Sequence, residues 1–342
     1  MDIRNQKGLR QYAAAALADN PGNPRLTVLV YVAVTALSSL LVSILTMVLD
    51  NRISQTGGLG NLGLRSILTT IRQAAPLILS LALMGLELGY RGAALKMVRR
   101  QAVQPKTLLM GYPKMGGLIR AMFLQGVLYL MLLIVAINVG SIIFMVAPFS
   151  RAFYDLILPF VTDTNALYDA LYNDPTFLNQ MFHAMLPMFP IVLVLFLALA
   201  APLFYRYRMV RFCLLESPGS GALAAMAESA RMTKGSRWSL VKLDLGFWWF
   251  YLGQLLCMIV LFGDTICQLL GVTLPVGDTA AYYIFYITSL ALECGLYYLA
   301  LNRVHTTYAC AYEALRPASQ PSQGGVVLGN IFDLAKQYRD EQ

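Results

Sequence analysis

A carboxylic acid near the middle of a long apolar segment is the position where this sequence most readily suggests chemistry. Glu293 lies near the centre of the apolar stretch 280–302, and Arg303 follows only ten residues later, about 15 Å along a helix. An ionisable residue inside a bilayer is costly, so it marks a functional site by default. Without water or a counter-ion, burial favours the protonated, neutral form of a carboxyl group.

The residues around Glu293 leave two interpretations open. In the first, a protonated Glu293 forms a hydrogen bond across helices with a polar side chain of another apolar segment or of its own. The available partners are Asn138, Gln125, Gln254 and Tyr297. In the second, Glu293 carries a proton or contacts a substrate inside a polar cavity that water can enter.

Two other acidic residues in apolar surroundings have simpler explanations. Glu87 precedes Arg91 by four residues, a spacing that places the two side chains together on one helix face as an ion pair. Gly85 and Gly89 flank Glu87 in a GxxxG pattern, which favours close packing of helices in membranes. Asp244, just after the basic Lys242, is expected to anchor or cap the end of a helix.

The sequence offers no recognisable catalytic or metal-binding set. It has no GxSxG, HExxH or Walker A motif, and no GxGxxG motif after a strand. The two histidines, His183 and His305, lie too far apart to suggest a metal site or a nucleophile–base pair. The five cysteines have no metal-like spacing and are expected to be small apolar fillers. We therefore predict no catalytic residue, no metal and no cofactor, and expect a protein that is not an enzyme.

Composition places these residues in a membrane protein. The chain is 58% hydrophobic and 13% charged, whereas soluble domains carry about 25% charged residues. A bilayer core of about 30 Å needs about 20 apolar residues per helix, and internal hydrogen bonding makes helices the default. We predict an all-α, six-helix transmembrane bundle in residues 1–316. The spans fall at about 26–49, 74–95, 118–147, 184–214, 240–262 and 280–302.

The basic residues define an orientation for these six spans. Lys and Arg concentrate in four parts of the chain that six spans would place on one side: before span one, between spans two and three, between spans four and five, and after span six. Positive residues stay in the cytoplasm during insertion. We therefore predict a multi-pass protein of the bacterial cytoplasmic (inner) membrane with both termini in the cytoplasm. The basic face is expected to meet lipid headgroups rather than nucleic acid.

Amphipathic segments are expected on the cytoplasmic face. Ile3, Leu9, Ala13, Ala16 and Leu17 form one weak apolar stripe, and Leu108–Met115 is a second segment. In the third, which Ser220 could cap, the stripe comprises Leu223, Met226, Ala227 and Ala230; it would lie on the headgroups or pack beneath the bundle.

The last part of the chain, residues 317–342, is a linker followed by a short amphipathic helix. Val327–Tyr338 could contact the bundle, the membrane or a protein partner.

The region 205–256 resembles a bacterial membrane family, the domain-of-unknown-function family 975. The matching residues are Tyr207, Leu214, Pro218, Ala227, Ser229, Met232, Gly235, Trp238, Leu243–Phe247 and Trp249, with Leu9–Asn20 similar to the family's start. Gly235, Trp238 and Asp244 mark the most specific junction. The chain departs from the family pattern at Glu216-Ser217-Pro218, in the turn before the third amphipathic segment. The resemblance implies a six-helix integral membrane protein, and it implies no substrate or catalytic residue.

Two functions remain open from the sequence. The first is a non-enzymatic scaffold, lipid-interacting or accessory membrane protein whose partners are membrane lipids and, through Val327–Tyr338, another protein. The alternative is a transporter or permease-like protein with a polar cavity around Glu293.

Overall fold

The computed structural model describes residues 2–55, 62–161, 163–216, 221–269 and 278–316, and these residues form an all-helical protein without a β-strand. The predicted linker and tail helix at 317–342, together with Ser217, Pro218 and Ser220, lie outside the described residues. The N-cap position of the third amphipathic helix is Gly221.

The described part of the chain contains fourteen α-helices and three 3₁₀ helices, one of ten residues and two of three residues. The α-helices are α1 Gln6–Ala18, α2 Pro24–Gln55, α3 Leu62–Val98, α4 Met115–Val146, α5 Arg151–Ile157, α6 Thr164–Asn173, α7 Pro175–Met185, α8 Met188–Arg206, α9 Val210–Glu216, α10 Ala222–Met232, α11 Arg237–Leu245, α12 Trp248–Leu261, α13 Gly263–Leu269 and α14 Asp278–Leu315. The 3₁₀ helices are Pro105–Lys114, Pro148–Ser150 and Leu158–Phe160.

Among the described residues, five helical segments are long and apolar enough to cross a membrane, or six if a bent pair counts as one span. The five are Pro24–Gln55, Gly63–Val98, Pro105–Val146, Met188–Glu216 and Ala280–Leu315. Several continue well beyond the predicted spans: α2 has 32 residues, about 48 Å at 1.5 Å per residue, and therefore exceeds the hydrocarbon thickness.

The fifth predicted span, 240–262, is not one continuous helix. α11 and α12 meet at Gly246 and Phe247 with an angle of 64° between them. The turn is tightened by the Phe247 amide, which donates to the Asp244 carbonyl oxygen at 2.8 Å. Hydropathy cannot reveal such a bend, because apolar residues continue through it.

By internal contacts, the chain divides into two compact units. The first comprises Met1–Leu118 and Met209–Gln342. Within it, α14 packs against α1, α2, α3 and α12, and α3 packs against the 3₁₀ helix Pro105–Lys114. Asn302 reinforces the contact, since it accepts a hydrogen bond from the Tyr90 hydroxyl of α3 and donates to the Pro24 carbonyl oxygen at 3.2 Å. α14 is therefore the central helix of this unit.

The second unit is Ile119–Arg208 and includes most of α4 and all of α5–α8. Aromatic side chains contact one another within it: Phe144, which is buried, contacts Phe149 and Phe153, and Phe160 lies edge-on to the buried Phe177 with 5.2 Å between ring centroids. The caps of α6 and α7 are aspartates, Asp163 and Asp174, whose side chains accept from backbone amides of the first turn.

The first amphipathic stripe lies where the sequence predicts. Ile3, Leu9, Ala13 and Ala16 are buried, and α1 packs against α14, α3 and α11. The Gln6 amide adds a hydrogen bond to the Ser239 carbonyl oxygen at 3.0 Å. α1 is therefore fixed to the first unit by its apolar face.

The stripe predicted for α10 does not coincide with the face that this helix packs against the protein. Met226 is buried, but Leu223 and Ala227 are exposed, and the buried face instead consists of Ala222, Ala225, Met226, Ser229 and Met232. The buried Ser229 hydroxyl accepts a hydrogen bond from the Met209 amide at 3.2 Å. Because a satisfied hydroxyl and small residues allow close packing on α9, the polar Ser229 faces inward and the larger Leu223 outward.

Candidate functional site

Glu293 lies on α14 in a short chain of polar side chains. The Gln254 side-chain amide of α12 donates to the Tyr297 hydroxyl oxygen at 3.4 Å, and the Tyr297 hydroxyl lies near the Glu293 carboxyl group. Glu293 is only partly buried. Of the partners named from the sequence, the structure therefore places two near Glu293. Tyr297 lies one turn further along α14, and Gln254 lies on the neighbouring helix α12.

The other two predicted partners, Asn138 and Gln125, lie on α4 within the second unit. The Asn138 side-chain amide donates to the Ile134 carbonyl oxygen of its own helix at 2.7 Å. This bond satisfies one amide donor locally, as polar side chains of transmembrane helices often do. Gln125 is partly buried.

The acidic residue of α3 has two basic partners rather than one. Glu87 pairs with Arg91 at 2.9 Å, as the spacing predicts, and also with Arg211 of α9. The Arg91 guanidinium also lies over the Phe212 ring, 6.0 Å from its centroid. Glu87 therefore joins α3 to α9, a connection that a spacing of four residues cannot indicate.

Gly85 and Gly89 form the closest backbone contact of this region. Both face the 3₁₀ helix Pro105–Lys114, and a Cβ built on Gly89 would overlap the Leu108 carbonyl group, with its carbon only 2.5 Å away. From the other side, a Cβ on Gly111 would lie 2.5 Å from the Gly89 amide nitrogen. The partner of the GxxxG face is thus a 3₁₀ segment, and its own glycine completes the contact.

A second ionic cluster, which the sequence did not reveal, joins α3, α9 and α14. We call it the Arg99 cluster; its members are Arg99, Glu216, Glu313, Arg316 and Tyr312. Arg99 pairs with Glu216 and, at 2.5 Å, with Glu313. Arg316 pairs with Glu216 at 2.9 Å, and the Tyr312 hydroxyl donates to the same carboxylate at 3.2 Å. Two guanidinium groups thus balance two carboxylates.

Burial makes the Arg99 cluster more than a surface ion pair. The side chains of Glu216 and Glu313 are only 11% and 9% exposed. Burial alone would lower the pKa of the Arg99 guanidinium, but Glu313 and Glu216 raise that pKa overall. The side chains of the cluster are therefore tightly paired, just after the end of α3.

The family-motif residues lie at the α10–α11 turn and the α11–α12 bend. Gly235 has φ +83°, a left-handed conformation that glycine adopts without steric penalty. Trp238 is 68% exposed. The Asp244 carboxylate accepts from the Tyr251 hydroxyl at 2.7 Å and so connects α11 to α12. The three residues therefore define a turn, an exposed aromatic side chain and a connection across the bend.

The α1 helix also contacts this bend. The Arg10 guanidinium lies over the Phe247 ring, 5.3 Å from its centroid, and a Cβ on Gly246 would lie within 2.7 Å of Arg10 Nη1. The absence of a side chain at Gly246 therefore leaves room for the guanidinium. In the described ranges, no three His, Cys, Asp or Glu side chains are grouped closely enough to hold a metal ion.

Comparison with known proteins identifies a family for this chain but does not identify an activity. No curated protein and no solved structure is similar to this chain. One family model, described as "Protein of unknown function (DUF975)", matches residues 1–318. The match includes α1, the ionic groups around Glu87 and Arg99, and the bend between α11 and α12. Since it extends over most of the sequence, the chain belongs to this family of proteins of unknown function.

Proposed function

We propose that this protein is a non-enzymatic, lipid-interacting scaffold of the bacterial cytoplasmic membrane. The observation that carries the proposal is the pairing of charges within its first unit. Glu87 is neutralised by Arg91 and Arg211, and Glu216 and Glu313 by Arg99 and Arg316. Charges that satisfy one another hold helices together, whereas charges of a catalytic or transport site must face a substrate.

The outer surface of the helices supports contact with lipid. Large apolar side chains of the long helices are widely exposed, among them Leu41, Leu77, Ile78, Ile142 and Val194. Contiguous apolar surface on this scale is unfavourable in water and is what a hydrocarbon environment requires. The proposed partners are therefore membrane lipids and, through the tail segment Val327–Tyr338, a second protein; nucleic acid is not among them.

The arrangement in the membrane is part of the same proposal. Both termini lie in the cytoplasm, and the chain crosses the membrane six times, entering the fifth span, α12, through the bend that follows α11. The segregation of Lys and Arg into alternate connections supports this arrangement. The α1 and α10 helices, and the 3₁₀ helix Pro105–Lys114, then lie on the cytoplasmic side.

Lipid retention tests the proposed function. After purification in a mild detergent, we expect phospholipid to remain bound at about one or more molecules per chain, because packed lipid is lost slowly from an apolar surface. Native mass spectrometry of the intact protein measures this. A well-folded, monodisperse protein that carries no phospholipid, even when extracted into lipid-rich micelles, would contradict the proposal.

A transporter is the second candidate, and the exposure of Glu293 favours it. Glu293 remains partly exposed beside Tyr297, so protein does not fully enclose this residue. A carboxyl group that exchanges a proton needs this combination of a polar neighbour and access. Under this candidate, Gln254, Tyr297 and Glu293 form the proton- or substrate-contacting site.

Substitution of Glu293 distinguishes the two candidates. Under the scaffold proposal, Glu293→Gln keeps the size and the polar character of the side chain beside Tyr297, so we expect less than about 1 kcal/mol change in stability and unchanged proton flux. The measurement is the decay of an imposed pH gradient in proteoliposomes that contain a pH-sensitive dye. Tyr298→Phe, on an exposed neighbouring position, is the control. Gradient decay that wild-type protein accelerates and Glu293→Gln abolishes would favour the transporter.

A further inference from the structure

The bend between α11 and α12 turns one helix away from the direction of the apolar span. α12 is strongly apolar, whereas α11 carries Arg237, Lys242 and Asp244 within nine residues. With α12 crossing the bilayer, a helix inclined at 64° to it cannot continue across the hydrocarbon. α11 instead extends sideways at the level of the headgroups, where amphipathic helices are most stable.

The two faces of α11 differ in the way such a position requires. Leu240 and Leu243 are fully buried against the protein. The opposite arc, at helical spacing, carries Trp238, Lys242 and Leu245; Trp238 and Leu245 are 68% and 63% exposed. Trp248, the first residue of α12, is likewise exposed. Exposed tryptophan beside leucine is unfavourable in water and is characteristic of membrane interfaces.

The charge of this arc is positive. Lys242 is exposed, and Arg237, at the edge of the arc, has a buried Nε atom that makes no hydrogen bond within the described part of the chain. The nearby acidic residue, Asp244, accepts from Tyr251 instead. Two basic side chains on one short helix near a membrane surface attract an anionic headgroup.

The bend is held in place, so the arc has a defined shape. Arg10 of α1 lies over Phe247 and against Gly246, and Gln6 bonds to the Ser239 carbonyl oxygen. Asp244 and Tyr251 join the two helices from within. These contacts fix the angle between α11 and α12 before any ligand binds, which reduces the entropy lost on binding.

We propose that α11 binds the headgroup of an anionic phospholipid, with Arg237 and Lys242 contacting the phosphate and Trp238 packing against the glycerol and upper acyl region. The inference rests on the proposed lipid-interacting function and names its ligand class. Arg237 directly precedes Trp238 in the sequence, and Lys242 lies about one helical turn beyond it. The pair matches an anionic headgroup in charge, whereas a zwitterionic headgroup brings a cation of its own.

The tryptophans of this protein make the proposal directly testable. The chain contains three, Trp238, Trp248 and Trp249, and all lie at this junction. In the variant Trp248→Phe/Trp249→Phe, fluorescence reports on Trp238 alone. Nanodiscs of phosphatidylcholine are doped with an equal fraction of brominated phosphatidylglycerol or brominated phosphatidylcholine. We expect quenching by the anionic lipid to be at least about twofold stronger, since each basic residue near a membrane surface attracts anionic lipid.

Variants that remove a positive charge show which residues cause the preference for the anionic lipid. Arg237→Gln and Lys242→Gln, in the same tryptophan background, are expected to make quenching by the two brominated lipids equal. Lys106→Gln, which removes an exposed charge from a different segment, is the matched control and should leave the selectivity unchanged. Selectivity that survives loss of both Arg237 and Lys242, or that disappears with Lys106→Gln, would overturn the assignment to α11.

Two further outcomes separate this inference from the proposed function. Equal quenching of wild-type Trp238 by both brominated lipids would overturn the anionic headgroup site, while lipid contact and the scaffold proposal would stand. Quenching by neither lipid would overturn the site and would also count against a lipid-interacting function. Circular dichroism of each variant in the same nanodiscs establishes that the helices are intact.

Discussion

Replacing Gly89 with alanine is expected to destabilise the first unit by about 3 kcal/mol or more, because the added Cβ overlaps a backbone carbonyl. The obstacle is the Leu108 carbonyl group, whose carbon would lie 2.5 Å from the new atom. A flexible side chain could rotate away, but a backbone group can move only with its whole segment. The 3₁₀ helix Pro105–Lys114 would have to separate from α3, and the contact of Gly111 with Gly89 would open with it.

A glycine one turn further along α3 supplies the control. A Cβ on Gly92 meets only the Leu215 side chain, at 3.6 Å, which is ordinary van der Waals contact. Gly92→Ala should therefore be neutral or stabilising by up to about 1 kcal/mol, the usual gain from alanine in a helix. Reversible unfolding in mixed micelles of increasing SDS content, followed by circular dichroism, measures both variants. Equal stabilities for the two would show that the glycine contact does not hold α3.

The sequence predicts the long helices well because their signal is local and strong. Runs of about 20 apolar residues mark the spans, and the five continuous spanning helices overlap the predicted segments. The buried stripe of α1 also follows from spacing alone, since Leu9, Ala13 and Ala16 recur at helical intervals. The chain's place in its family was likewise predicted, from the residues around Gly235 and Trp238.

Features that depend on distant contacts were not predictable from spacing. Arg99 meets Glu216 and Glu313 across 117 and 214 residues of sequence, and no periodic pattern relates positions so far apart. The pairing of Arg211 with Glu87 likewise required the fold, because 124 residues separate them in the sequence. Glu216 marks the point where the sequence departs from the family pattern, and its carboxylate contacts both Arg99 and Arg316.

The face of α10 that packs against the protein could not be read from hydrophobicity. The apolar stripe contains Leu223, and the sequence left open whether this stripe meets headgroups or the bundle. The structure buries Ser229 because its hydroxyl satisfies the Met209 amide, and leaves Leu223 outside. The bend at Gly246 was missed similarly, because a change of direction leaves the apolar content of the segment unaltered.

Removal of Arg99 is expected to have the other large effect on stability. In Arg99→Leu, Glu313 loses its ion-pair partner and Glu216 keeps only Arg316 and Tyr312. Leaving a largely buried carboxylate without its cation costs about 3–5 kcal/mol. Arg99→Lys should recover only part of the loss, since a single ammonium cannot match the fork of a guanidinium that contacts two carboxylates. SDS-induced unfolding measures all three proteins under the same conditions.

A double variant tests whether the cost of Arg99→Leu comes from the buried carboxylate that it leaves unpaired. If the cost of Arg99→Leu comes from an uncompensated carboxylate, then Arg99→Leu/Glu313→Leu should be more stable than the single variant, because it removes both members of one pair and leaves Glu216 with Arg316. Arg72→Leu is the matched control: its pair with Asp50 is about half exposed, so its loss should cost about 1 kcal/mol or less. A double variant no more stable than Arg99→Leu would mean that Arg99 acts through packing of its side chain, and the pairing of charges would then lose its role in holding α3, α9 and α14 together.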